Sequence, residues 1–301
     1  VAAQLSFSSQ VKTELCRSTV LQQCCAVAEA YGALLYCNAF SENEIKIVTE
    51  SVPFTGRLSP LFRRAFGLRF DEITTSLAGK TTCAIRSREK LRTILRAFGC
   101  GDQGILAHHI NLSILEQRCC RAAFLRGAFL AGGSVTDPEK RYHLELATSR
   151  FHVSRGLYVL LREMDFSPKD TRRKGNHIIY FKQSAAIEDF LTAIGAPLAA
   201  MRLMSAKVEK EVRNTVQRQV NCDTANVEKS VEAAQKQISA IMRLEETVGL
   251  EGLPEKLHQA ALLRLMNPEA SMAELARLSD PPVSKSCISY RLRKLMELTD
   301  S

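Results

Sequence analysis

The stretch FLRGAFLAGGSV, Phe124–Val135, decides the fold. It reads as a helix of small and apolar residues running into two glycines. Glycine inside a helix costs about 1 kcal/mol against alanine, so Gly127 calls for a packing reason. A close helix–helix crossing, with backbones nearly touching, is such a reason. The partner comes from the chain itself. Shifted by about 95 residues, AEAYGALLYCN (Ala28–Asn38) falls on AFLRGAFLAGG (Ala123–Gly133), and Gly32 falls on Gly127. TGRLSPLFRRAFGLRF (Thr55–Phe70) falls on HVSRGLYVLLREMDFS (His152–Ser167), and SREKLRTILRAFG (Ser87–Gly99) on SAAIEDFLTAIG (Ser184–Gly195). Few identities repeat; the order of elements does.

Each half reads as helix, strand, helix, two strands, helix. The motif helices are expected at 20–36 and 118–131. YHLELATS (Tyr142–Ser149) alternates like a half-buried strand, and the turn residues DPEK (Asp137–Lys140) ahead of it point to a hairpin. Phe151–Met164 has helical spacing. Asp170–Lys174 and His177–Lys182 flank a Lys-Gly-Asn turn, and Ser184 is placed to cap the closing helix. The prediction is an α+β domain over 1–200, with halves at about 8–100 and 110–197 around a pseudo-two-fold.

Beyond Pro197 the pattern changes. Met201–Val220 reads as a helical linker over 201–223, broken at NCDTAN (Asn221–Asn226), where Asp223 or Thr224 can cap the next helix. Val227, Val231, Ala234, Ile238, Ile241, Leu244 and Val248 then recur at spacings of three and four, giving an amphipathic helix. A helix near 254–266 follows, with Pro254 in its first turn. A short helix near 271–279 opens with the capping-box spacing Ser271/Glu274. DPP (Asp280–Pro282) makes a turn, and a last helix runs over 284–298, capped by Ser284. This order is that of a helix-turn-helix over 224–301, although the turn has two prolines, no glycine, and more than the usual three or four residues.

The last helix has two faces. Ile288, Leu292 and Leu295 share the core side. Ser286, Tyr290 and Arg293 oppose them, flanked by Ser289 and Lys294, while Lys285 and Arg291 border the apolar stripe. No acid lies between Ser284 and Leu295. Donors for base edges and cations for phosphates are what a DNA-reading helix needs.

Two motif helices about a hundred residues apart, each followed by strands, resemble the LAGLIDADG homing endonucleases over roughly residues 8–200. In that family each motif helix ends in an acid, and the two acids hold divalent metal ions over the scissile phosphates. Here Cys37 and Gly132 occupy those positions, and neither can replace a carboxylate. Asp137, Glu42 and Glu44 lie close by and are the alternative source of oxygen ligands, which would make the chain a metal-dependent endonuclease with relocated acids. The whole chain is similar to the WhiA family, in which a degenerate LAGLIDADG domain precedes a helix-turn-helix. NCDTANVEKSVEAAQKQI (Asn221–Ile238), LPEKL (Leu253–Leu257) and DPPVSKSCISYRLRKL (Asp280–Leu295) carry that resemblance. It implies a sequence-specific transcription regulator of Gram-positive bacteria, linked to sporulation and cell division, with no nuclease activity and no cofactor. Its partner would be double-stranded DNA, with another transcription regulator or RNA polymerase as a further possibility. The resemblance places DNA contact on Ser284, Lys285, Ser286, Ser289, Tyr290, Arg291, Arg293 and Lys294.

Composition agrees with a polyanionic partner. The 301 residues carry 41 Lys+Arg against 32 Asp+Glu, a net +9. Arg57, Arg63, Arg64, Arg86, Arg88, Arg172 and Arg173 are plentiful in the first domain, but the sequence does not assign them to a face. The ten cysteines show no CxxC or Cys/His ligand spacing, so no metal site is expected. The adjacent pairs Cys24-Cys25 and Cys119-Cys120 read as small core residues, and unpatterned thiols suit a reducing cytoplasm, here nucleoid-associated. The opening VAAQLSFSSQ lacks a charged n-region, no run is long enough to span a bilayer, and neither a signal peptide nor a membrane partner is expected.

Overall fold

A computed structural model describes residues 5–19, 22–99 and 109–299. The chain divides into two compact units, 1–210 and 211–301. In the first, α1 (Phe7–Arg17) precedes two repeats of one plan. The first repeat is α2 (Gln23–Leu35), β1 (Ala39–Phe40), β2 (Ile45–Thr49), α3 (Val52–Phe66), β3 (Glu72–Thr75), β4 (Thr81–Ile85) and α4 (Arg88–Ala97). The second is α5 (Arg118–Gly132), β5 (Gly133–Val135), β6 (Leu144–Thr148), α6 (Phe151–Glu163), β7 (Lys169–Arg173), β8 (Asn176–Phe181) and α7 (Ser184–Ile194). The sheets match in order, β1-β2-β4-β3 and β5-β6-β8-β7, with antiparallel pairs throughout. The mixed αβ duplication is therefore as expected, as is the β5-β6 hairpin around Asp137–Lys140; in the first repeat a short strand, β1, is added directly after the motif helix.

The motif helices α2 and α5 form the seam between repeats. A Cβ on Gly32 would lie 2.1 Å from the Phe124 carbonyl oxygen, and one on Gly127 would lie 2.0 Å from that of Glu29. Each glycine admits the other helix's backbone, which is the reason the sequence demanded. Around this crossing lies a single apolar core running from Phe7 to Leu203, with Phe54, Phe62, Phe124, Phe129, Phe181 and Phe190 among its fully buried side chains.

Charge is buried there as well. Glu29 on α2 is fully buried and receives the Arg57 guanidinium through Nε and, at 2.9 Å, Nη2; Arg126 Nη1 reaches it at 3.2 Å. Arg57 also donates to the Ser18 carbonyl, and Arg126 Nε to that of Ile194 at 2.7 Å. The triad ties α1, α2, α3, α5 and α7 together. Arg57 is thus a structural cation and not part of a contact surface.

Three sequence expectations fail. Ser184 is the first residue of α7, whose N-cap is Gln183 without a side-chain bond. The expected break at 221–226 is absent, because α8 (Pro197–Thr247) is one helix. Asn, Asp and Thr each cost under about 0.7 kcal/mol in a helix, no Gly or Pro follows Pro197 within it, and Gln217 bonds Asn221 across one turn at 2.8 Å. The apolar stripe of this helix is buried only at Ala234, Ile241 and Leu244; Val227, Val231 and Val248 are exposed. Third, the paired cysteines are not core residues as a set: Cys24 and Cys119 are exposed, Cys25 is half-buried, and Cys120 is buried.

In the second unit, α9 (Glu255–Met266), α10 (Met272–Leu278) and α11 (Lys285–Thr299) follow α8. The Ser271/Glu274 capping box is formed in both directions. Ile241, Leu244, Ala261, Leu275, Ile288, Leu292 and Leu295 make the core. Arg264 is 1% exposed, and its Nη1 donates to the Ala270 carbonyl at 2.7 Å, holding the loop between α9 and α10. No helix among the described residues is long and apolar enough to cross a membrane.

Candidate nucleic-acid interface

The helix α11 starts where the sequence places it. The Ser284 hydroxyl accepts from the Cys287 backbone N–H at 3.2 Å, closing its first turn. Ile288, Leu292 and Leu295 are each at most 1% exposed and anchor one side on α9 and α10. Ser284, Lys285, Ser286, Ser289, Tyr290, Arg293 and Lys294 are exposed, and Arg291 is half-buried at the border of the stripe. The face count therefore holds for the backbone as folded. The first turn carries no acid, and its free N–H groups with Ser284 and Ser286 form the kind of helix start that accepts a phosphate.

One residue of this face escaped the sequence reading. Glu297 lies just past the acid-free segment Ser284–Leu295, and its carboxylate receives Lys294 Nζ at 3.1 Å and Arg293 Nε at 3.8 Å. Arg293 also stacks on the Tyr290 ring at 5.7 Å. In the free protein these two cations are held in place and partly neutralised. The turn from α10 to α11 spans 279–284, longer than the usual three or four residues, as its prolines implied.

In the first unit, the ends of the motif helices hold no carboxylate at the family positions. A Cβ on Gly132 would meet Tyr36 Cδ1 at 2.5 Å and the Ala147 carbonyl at 2.9 Å, so the space for an acid is taken by the Tyr36 ring. Cys37 Sγ donates to the Leu34 and Ala39 carbonyls at 3.0 and 3.1 Å, and burial pushes its thiol up to about 11. Arg150 Nη1 donates to the Leu35 carbonyl at 2.7 Å, placing a cation at the negative end of α2. Of the nearby acids, Glu44 pairs with Arg86, Asp137 accepts from the Glu139 N–H in its loop, and Glu42 is exposed.

The arginines that the sequence left unassigned now divide. Arg86 is paired with Glu44 and Glu72, and Arg173 with Glu145. Arg63, Arg64, Arg88 and Arg172 are exposed. Arg172 stands on β7, every residue of which is exposed.

The chain is similar to known proteins along its full length. The family described as "WhiA C-terminal HTH domain" matches residues 216–299, and "WhiA LAGLIDADG-like domain" matches residues 121–213. A protein of Ruminiclostridium cellulolyticum named "Probable cell division protein WhiA" is 38% identical over 310 residues, covering 98% of this chain and 97% of its own. The chain belongs to the WhiA family. A WhiA protein of Alkaliphilus metalliredigens is 34% identical, with 98% of each chain covered. The crystal structure of full-length DUF199/WhiA from Thermatoga maritima superposes with a TM-score of 0.62 at 24% identity, covering 98% of both chains. This WhiA-family chain thus joins a LAGLIDADG-like domain, without acids at Cys37 and Gly132, to a helix-turn-helix.

Proposed function

We propose that this protein is a sequence-specific, DNA-binding transcription regulator of a Gram-positive bacterium, acting in cell division or sporulation, with no nuclease activity. The observation that carries the reading is α11: capped, anchored on one side by Ile288, Leu292 and Leu295, and presenting only Ser, Tyr, Lys and Arg on the other as far as Leu295. In this reading Arg293, Tyr290, Ser286 and Ser289 face base edges, Lys285, Arg291 and Lys294 contact phosphates, and Ser284 fixes the helix start. The relatives' name as cell division proteins supports the process assignment. The absence of a carboxylate at Cys37 and Gly132, and the filling of that space by Tyr36, support a non-cutting role. The LAGLIDADG-like domain adds affinity for DNA through exposed β7 or serves as a platform for another regulator or RNA polymerase, and the protein works on the nucleoid in the cytoplasm.

Binding of full-length protein to duplex DNA across a salt series, with Mg²⁺ present and products resolved on a gel, tests this. Arg293→Ala with Lys285→Ala removes one base-facing donor and one phosphate contact. It should weaken binding and flatten the slope of log K against log salt by about 0.9, the contribution of the lost phosphate contact. An unchanged slope would refute the placement of α11. Cleavage products would instead establish the endonuclease alternative.

A further inference from the structure

The duplication does more than pair glycines. Cys119 lies 95 residues after Cys24, and Cys120 lies 95 after Cys25, the same interval that separates Gly32 from Gly127. The pseudo-two-fold therefore brings both cysteine pairs to one place, at the second and third residues of α2 and α5. The four Sγ atoms all lie within 4.8 Å of one another.

From this geometry we propose that Cys24, Cys25, Cys119 and Cys120 bind one structural Zn²⁺ as a tetrathiolate that clamps the starts of the two motif helices. A tetrahedral site with Zn–S bonds of about 2.3 Å places its sulfurs about 3.8 Å apart. No pair in the cluster is more than about 1 Å beyond that separation, so all four sulfurs are close enough to serve one ion. Two disulfides would demand two pairs at about 2.05 Å, and neighbours on one helix, about 3.8 Å apart at Cα, are too close to bridge each other. Binding exchanges four thiol protons for the ion, leaving a net charge of −2.

The surroundings suit that charge. Both helices point their N-terminal N–H groups into this region. Neither has a side-chain cap bond, and neither has an acid in its first turn. The Gln22 carboxamide is already centred on the sulfurs, with Oε1 3.6 Å from Cys24 Sγ and 3.7 Å from both Cys25 and Cys119 Sγ. Turned over, its NH₂ would donate to thiolates, as groups beyond the ligand shell commonly do at zinc sites. Cys24 and Cys119 are exposed, which gives the ion a path in. The spacing differs from the usual C-x₂₋₄-C because each helix contributes adjacent residues, and only the fold unites them.

The test uses full-length protein purified under reducing conditions without chelator. Elemental analysis should give one zinc per chain, and Co²⁺ exchanged into the site should show the intense visible bands of tetrahedral thiolate coordination. Cys24→Ser with Cys119→Ser should lower zinc to background, while Cys222→Ser, an exposed thiol elsewhere, should leave it unchanged. If the double variant fails to fold, the Co²⁺ spectrum of the unaltered protein still decides. No zinc after dialysis against Zn²⁺, zinc retained by the double variant, or a Co²⁺ spectrum without thiolate bands would each overturn the site. So would an intact mass four hydrogens light, because it would show two disulfides in place of the metal.

Discussion

Replacing Gly127 by alanine tests the crossing on which the LAGLIDADG-like domain is built. The new Cβ would sit 2.0 Å from the Glu29 carbonyl oxygen and 2.9 Å from Ala33 N. Both neighbours are backbone, so no rotamer change relieves the clash. Restoring even a close contact of about 3.4 Å would part α2 from α5 by about 1.4 Å, a gap that forfeits a quarter or more of the dispersion energy along the seam. Overpacking in cores costs about 1–3 kcal/mol, and a backbone-on-backbone clash belongs at the upper end. Alanine's helix propensity returns about 1 kcal/mol, leaving a net loss of about 2. For a domain of this size, that is a fall in Tm of about 4–8 °C. Gly56 supplies the control. It lies within α3, and a Cβ there would meet nothing within 4 Å. Gly56→Ala should gain the propensity alone and raise Tm by about 2–4 °C. Thermal melts of the full chain by circular dichroism measure both. If Gly127→Ala melts at or above the parent, the close-crossing argument is wrong.

Two further outcomes follow from the buried and surface charges. Glu29→Gln leaves Arg57 and Arg126 sharing a neutral partner inside the core; the urea midpoint should report a loss of about 3–5 kcal/mol, and a loss under about 1 kcal/mol would remove the triad's structural role. Glu297→Gln frees Arg293 and Lys294 on the exposed face of α11. It should tighten binding to non-specific duplex by about 2- to 5-fold at low salt, the scale of an exposed ion pair, and weaker binding would show that Glu297 orients those cations for DNA.

Much of the architecture was legible because local chemistry and global packing agree. Gly32 and Gly127 pointed to their crossing, because they fall on each other in the repeat and each costs helix stability that a close approach offsets. The capping residues Ser271, Glu274 and Ser284 marked helix starts that formed as read. What the sequence hid depends on distance along the chain. Adjacent cysteines resemble core filler until a repeat of about 95 residues stacks one pair on the other. Glu29 gave no sign of burial, because its two arginines come from α3 and α5. Asn221–Asn226 looked like a break because such residues favour caps, yet a few tenths of a kcal/mol each cannot stop a helix already propagating on both sides. Glu297 lies two residues beyond Leu295, outside the acid-free segment that marks the exposed face.

The Tyr36 ring packed over Gly132 acts as a ratchet. Once a tyrosine fills the hollow in which a carboxylate would stand, restoring the acid in one step brings a clash as well as an oxygen ligand. Removing the tyrosine first exposes a cavity and gains no chemistry. Metal binding at these helix ends would need acids at 37 and 132, a smaller residue at 36, and loss of the Arg150 cation from the end of α2. Each change alone costs stability or gains nothing. The packing at these helix ends therefore opposes a carboxylate by sterics as well as by charge.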